Sequence, residues 1–332
     1  MVDEVAVTSR RAFVGALAAV ALSPRALCEP AGRLSTFSVL SLFKPQRLVV
    51  HATVEPLVLT VDGSARTLPV GSSLEVDVGR VRIAKLSAFA VEVPDKLRRN
   101  YFGTLAVESA GAHLRCVVGM EREVAVASIV AAESPPRAKL NCLTAQAIAA
   151  RSFLVAASAS HVGADFCDTT HCQFLREAPP AESVFSVAAR GSSGLVLRYQ
   201  SEDAAHTLAA MYSRSCGGRT RTLAELGLPV RGYPYYAVDC AFCRAHPEAW
   251  QRDLTEETGS SERARLDYNR IHGWSALPGH IDKSTALRIE GRGVGHGIGL
   301  CQLGAADMAA RGASFAQILN HYYPNTTLAH AV

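Results

Sequence analysis

Glu133 stands in the stretch IVAAESPPRAKLNCLTAQAIAARSF and is the only acidic side chain between Glu123 and Asp165. A proline disfavours the α region for the residue before it, so Pro135 predicts that a helix ends near Glu133–Ser134. The carboxylate then sits where the last backbone carbonyls present partial negative charge. That field, together with any burial, favours the protonated acid. A carboxyl group that keeps its proton near neutral pH can donate it, as general acid catalysis requires. A solvated helix-end glutamate is the alternative reading of the same position.

The next helix sets two polar residues, Gln146 and Arg151, among Ala147, Ile148, Ala149 and Ala150. The alanines let another backbone or a ligand come close. Five positions apart, the two do not share one tight stripe, and the arginine reads equally as a buried structural tie. Further on, GRGVGHGIGLCQLGA (residues 291–305) places five glycines in nine positions around His296. Glycine admits positive φ and close backbone approach. His296 is read as a catalytic or sugar-binding group, the alternative being a turn residue bonded to its own backbone. The spacing is not a dinucleotide fingerprint, and no lysine follows as a phosphate loop needs.

Thiols form the third constellation among nine cysteines. Cys167, His171 and Cys172 lie in CDTTHC, Cys240 and Cys243 in DCAFC, and Cys216 in SRSCGG. Two cysteines with a histidine, plus a CxxC, suit tetrahedral zinc. The same residues could instead pair as disulfides outside the cytoplasm. Arg244 follows the CxxC, which excludes covalent haem attachment.

The elements that must hold these groups are legible in the periodicity. From Leu34 to Val117, short β-branched, partly alternating runs between Gly, Pro and Ser predict strands. EREVAVASIVAAE and LNCLTAQAIAARSFLVAASASH predict two consecutive helices. Strand signals return from Ala181 to Met211, QRDLTEETGSSERARLDYNR reads as a surface excursion with some helix, and the end reads as strand, glycine-rich turn, helix, and a second helix near Phe315–Tyr322. The fold class is α+β, a two-lobed mixed structure with a central cleft: a β-rich N-terminal part, a helical segment and returning strands. A chain of 332 residues with 48% hydrophobic and 19% charged residues is globular rather than disordered. Its net charge of +4, without a long basic run, argues against a nucleic-acid partner.

Arg10 and Arg11 precede an apolar run from Ala12 to Leu22 that is too short to span a bilayer. Residues 1–30 read as a twin-arginine-like export signal, with cleavage near Ala26–Ala31. The expectation is an exported protein of the periplasm or cell envelope, with no integral membrane contact once the signal is removed. A cytoplasmic amphipathic helix is the alternative for this segment.

Six ordered segments carry a resemblance: RNYFGTLAV with VVGMEREVAVASIVAAESP, LTAQAIAARSFLV, CDTTHCQ, MYSRSCGGRT, YPYYAVDCAFC, and GRGVGHGIGLCQLGAADMAARG with ILNHYYPNTTL. Together they resemble the stage II sporulation protein D / amidase-enhancer (LytB-type) family over roughly residues 98–330. The resemblance implies a lytic transglycosylase acting on peptidoglycan glycan strands stripped of stem peptides, with a cell-wall amidase as a partner. It puts the catalytic glutamate at Glu133. Gln146 and Arg151 fall on its cleft-lining helix positions, His296 and Gln302 on its glycine-rich loop, and Tyr212 and Ser213 are assigned with them to substrate. It also implies a structural zinc near CDTTHC, with Cys240, Cys243 and Cys216 as further candidate ligands. The expected organisation is signal over 1–30, β-rich region over 31–97 and catalytic domain over 98–330. A lytic transglycosylase can work with one carboxylate where a hydrolase usually needs two, so the isolation of Glu133 is intelligible.

Three departures stand out. Leu143–Thr144 occupies the place of the family's basic residue, Cys301 replaces its commoner serine, and residues before about 95 match only as generic β structure. Three other readings remain open: a non-catalytic glycan-binding enhancer of an amidase, a cysteine hydrolase using His296 and Cys301, and a purely structural wall protein.

Overall fold

Eight strands form between residues 34 and 120: β1 (Ser35–Val39), β2 (Leu48–Ala52), β3 (Leu57–Val61), β4 (Ser64–Leu68), β5 (Ser73–Val76), β6 (Arg80–Val93), β7 (Leu97–Ala110) and β8 (His113–Met120). In β2, Leu48, Val50 and Ala52 are buried while Val49 and His51 are less so, the period of two expected of a sheet with one covered face. The computed structural model describes residues 34–157, 161–230, 232–253, 261–272, 277–285 and 288–331. The export signal expected over residues 1–30 lies outside them.

Helix α1 (Arg122–Glu133) ends at the residue that Pro135 predicts, and α2 (Leu140–Ala156) follows. Then come β9 (Phe166–Cys167), α3 (Val184–Gly191), β10 (Leu195–Gln200), β11 (Ala205–Thr207) and β12 (Tyr212–Ser213). The chain continues through α4 (Ala241–Ala245), β13 (Ala249–Asp253), α5 (Glu262–His272), β14 (His280–Thr285) and β15 (Arg288–Arg292). It ends with β16 (Leu300–Cys301), α6 (Gln302–Ala310), α7 (Phe315–Tyr322) and β17 (Thr326–His330). The α+β expectation holds. None of the described helices is long and apolar enough to cross a membrane.

The segment 181–211, expected to be strands, begins instead as helix α3. Its inward residues Phe185, Ala188, Ala189 and Ser192 recur at helical spacing, which outweighs the strand preference of Val184 and Val187. The buried guanidinium of Arg151 secures the helix end by donating to the Ala189 carbonyl (2.9 Å) and to that of Leu195 (3.0 Å).

Two compact units result. One comprises Glu29–Ala132 with Ala159–Ser186, the other Glu133–Ser158 with Val187–Val332. The border expected between residues 97 and 98 falls inside the β6–β7 hairpin, where Val93 pairs with Leu97. The chain changes units at Glu133 instead.

In the first unit a nine-stranded sheet runs in the order β4-β3-β6-β7-β8-β1-β9, with β2 beside β5 and β6. Strand β1 is antiparallel to β8 and parallel to β9. That parallel edge carries CDTTHC and is fixed by a buried ion pair. Arg99 Nη1 donates to Asp168 Oδ2 at 2.7 Å, and the Leu40 amide donates to the same oxygen at 3.1 Å. Burial raises the Asp168 carboxyl above the usual carboxylate range, and Arg99 opposes it.

In the second unit α2 is buried nearly all round: Ala145, Ala147, Ile148, Ala149 and Ala150 are fully enclosed. It packs against β10, α6 and α7. Ser152 Oγ bonds the Ile148 carbonyl at 2.6 Å and accepts from the Leu197 amide at 2.8 Å, tying helix to strand. Three small sheets complete the unit: β11-β10-β17, β12-β16 and β13-β15-β14.

Removing one partner of a buried ion pair leaves an uncompensated charge, at a cost of about 3–5 kcal/mol. Arg99→Met is expected to lower unfolding stability by an amount of that order, read from chemical denaturation; a midpoint equal to wild type would contradict the tie.

Candidate active site

Glu133, at the end of α1, interacts with two residues brought from distant parts of the chain. Gln302 opens α6 and donates from Nε2 to Glu133 Oε2 at 3.4 Å. Tyr212, on β12, feels both Glu133 and Gln146. Its hydroxyl is raised well above the usual tyrosine range, by burial first, then by the Glu133 charge and Tyr323, while the Gln146 amide opposes the shift. The hydroxyl therefore stays protonated. Gln146 is itself buried within α2. Two of the residues expected at the site, Gln302 and Tyr212, thus gather at the Glu133 carboxylate, and Gln146 joins them through Tyr212.

The glycine-rich loop explains how Gln302 arrives there. Gly293, Gly295, Gly297 and Gly299 alternate with larger residues, and all four take positive φ, from +68° to +100°. Each allows a close approach. A Cβ at Gly293 would stand 2.8 Å from the Ser215 carbonyl oxygen, and one at Gly295 2.9 Å from the Ser213 Cβ. A Cβ at Gly299 would overlap the Met211 carbonyl. The loop backbone is thus laid against residues 211–221: Val294 bridges Ser215, Ile298 bridges Arg221, and β16 pairs in parallel with β12, Tyr212 facing Leu300.

The other expected site residues take different places. His296 is 2% exposed, and its Nδ1 accepts from the Ile298 amide at 2.9 Å, so it ties its own turn. Arg151 is the buried cap of α3 described above. Ser213 is buried, and among the described residues its Oγ has no hydrogen-bond partner.

The thiols read together as one tetrahedral set divide into two clusters, one in each unit. In the first, Cys167, His171 and Cys172 are joined by His161, with all four ligand atoms within 4.8 Å of one another. His161 Nε2 is 3.0 Å from Cys172 Sγ, and His171 Nδ1 is 3.5 Å from Cys172 Sγ and 3.7 Å from Cys167 Sγ. The edges of a zinc tetrahedron with nitrogen and sulfur ligands measure about 3.3–3.8 Å. The second cluster joins Cys216, Cys240 and Cys243 to Cys301. Sequence reasoning missed His161, six residues outside the compact CDTTHC motif. Cys301 had one signal, its replacement of serine. The sulfur of Cys301 is enclosed, 3.4 Å from Cys243 Sγ.

His296 makes acid a specific stress on this arrangement. Burial, then Arg265, pushes its imidazole down to about 3, against the Tyr212 backbone carbonyl; His280 adds to the depression. An unfolded histidine titrates near 6.5, so between the two values the unfolded chain binds a proton that the folded chain refuses. Its contribution to stability is complete above about pH 6.5 and is lost as pH falls toward 3. His296→Asn can still accept from Ile298 and is expected to flatten the decline in denaturation midpoint between pH 7 and pH 4.

Residues 111–199 match the family described as Stage II sporulation protein. The matched segment holds Glu133, Gln146, Arg151 and the His161–Cys172 cluster, and stops short of the glycine-rich loop. A stretch of 49 residues is 55% identical to the Amidase enhancer of Bacillus subtilis (strain 168), covering 14% of this chain and 7% of that protein's length. The resemblance read from the ordered motifs is borne out over residues 111–199, the stretch that matches the Stage II sporulation protein family.

Proposed function

We propose that the chain is an exported peptidoglycan lytic transglycosylase with Glu133 as its acid and base. The observation that carries this reading is the Gln302–Glu133 hydrogen bond, which orients the carboxyl group of the glutamate that the family resemblance marks as catalytic. Glu133 gives its proton to the glycosidic oxygen as the bond to the muramoyl anomeric carbon breaks. The muramoyl 6-hydroxyl then closes on that carbon, and its proton returns to Glu133, so no water is consumed. The protonated Tyr212 hydroxyl and the Ser213 hydroxyl supply donors on β12 for sugar oxygens. Gln146 holds Tyr212, while Arg151 and His296 act through the scaffold rather than on the sugar.

The His161–Cys167–His171–Cys172 cluster has the donor set and spacing of a closed structural zinc site. Zinc there would staple β9 and the chain around it, with no role at the reacting bond. Cys172→Ser is expected to remove about one zinc ion per chain, counted by elemental mass spectrometry; unchanged content would sink this assignment.

A second reading draws on the relative's name: a non-catalytic glycan-binding protein that stimulates a cell-wall amidase. The deciding experiment digests glycan strands, with and without stem peptides, using wild type and Glu133→Gln. Anhydro-muramoyl ends from stripped strands, slowed about 10²–10⁴-fold in the variant, are the expected outcome. Reducing ends would mean hydrolysis. Binding without cleavage, with amidase stimulation kept by Glu133→Gln, would favour the enhancer.

A further inference from the structure

We propose that Cys216, Cys240, Cys243 and Cys301 form a second zinc site, a closed tetrathiolate that fixes the start of α6. The inference does not rest on the transglycosylase reading. Four sulfurs from three separate chain segments converge so that all lie within 4.8 Å of one another, each no more than 2% exposed. At a Zn–S distance of about 2.3 Å, a tetrahedron has S···S edges of about 3.8 Å, and the Cys243–Cys301 separation is 3.4 Å. A span this small holds one ion rather than an iron–sulfur cluster. All four cysteines are unpaired thiols, and 3.4 Å is far beyond the roughly 2.05 Å of a disulfide.

The surroundings suit metal-bound thiolates. The Gly304 amide donates to Cys301 Sγ at 3.4 Å, the Tyr322 hydroxyl donates to Cys240 Sγ at 3.6 Å, and Ser215 Oγ lies 3.5 Å from Cys243 Sγ. Such outer partners orient metal ligands and stabilise their charge. Glycines shape the site: Gly217 and Gly218 turn the chain after Cys216 with φ of +69° and +121°, and Gly304 clears the space at Cys240 Sγ, where a Cβ would collide. Binding replaces four S–H protons by one divalent cation, with no change of oxidation state. With four protein ligands and no open position, the site is structural. Its mechanical consequence is local: Cys301 directly precedes Gln302, the residue bonded to Glu133.

The test uses the full chain, first as the His161→Ala/Cys172→Ser variant, which keeps all four cysteines of this cluster. Elemental mass spectrometry is expected to find about one zinc ion per chain, and X-ray absorption a shell of four sulfurs at about 2.3 Å with no nitrogen. If that variant does not fold, the wild-type shell decides: two ions, one in each cluster, average three sulfurs and one nitrogen per zinc. A single zinc with two sulfurs and two nitrogens would overturn the proposal. So would iron in the site, or disulfides among these four cysteines in peptide maps of the folded protein.

Discussion

The second unit depends on two backbones lying closer together than side chains would allow. Residues 293–301 run against residues 211–221, and Gly293, Gly295 and Gly299 lack the Cβ atoms that would hold them apart, while Gly297 makes room for His280. From that contact the remaining geometry follows. Leu300 pairs with Tyr212, Cys301 is delivered to the other three thiols, and Gln302 begins a helix with its amide at Glu133. The same contact buries His296 and keeps it neutral, so its Nδ1 can accept from Ile298. Glycine spends conformational entropy at each of these positions; the return is a rigid loop beside a carboxylate.

Polar groups inside both units work as fasteners. Arg151 spends its guanidinium on the carbonyls that end α3, and Ser152 bridges a helix turn to β10. In the other unit Arg99, the Leu40 amide and Asp168 close around one carboxylate at the sheet edge that carries the His–Cys cluster. Such groups are tolerable in a core only when each is bonded. They therefore specify a single arrangement of the elements they join, which apolar packing alone does less sharply.

The thiols show how one residue type serves two environments. One cluster mixes sulfur and imidazole beside a sheet edge; the other is all sulfur and lies in a helical core. Each cluster gathers four protein ligand atoms, so the proposed zinc ions would serve the scaffold rather than the reacting bond.

Much of this was legible in the sequence. Pro135 ended α1 at Glu133, the alanine-rich period marked α2 as buried, and Phe315–Tyr322 formed the helix its spacing implies. These are local effects: steric exclusion before proline and the 3.6-residue repeat act within a few positions. Helix α3 was misread because Val184 and Val187 favour strands locally, while its burial pattern and the Arg151 cap are tertiary. Likewise Gln146 and Arg151 look alike on one helix, yet one faces Tyr212 and the other a helix end 38 residues away. The division of the thiols, and the recruitment of His161 and Cys301, depended on which strands pair and which core each segment enters. Spacing along a chain constrains neighbours in sequence; only folding sets the distances between residues as far apart as Glu133 and Gln302.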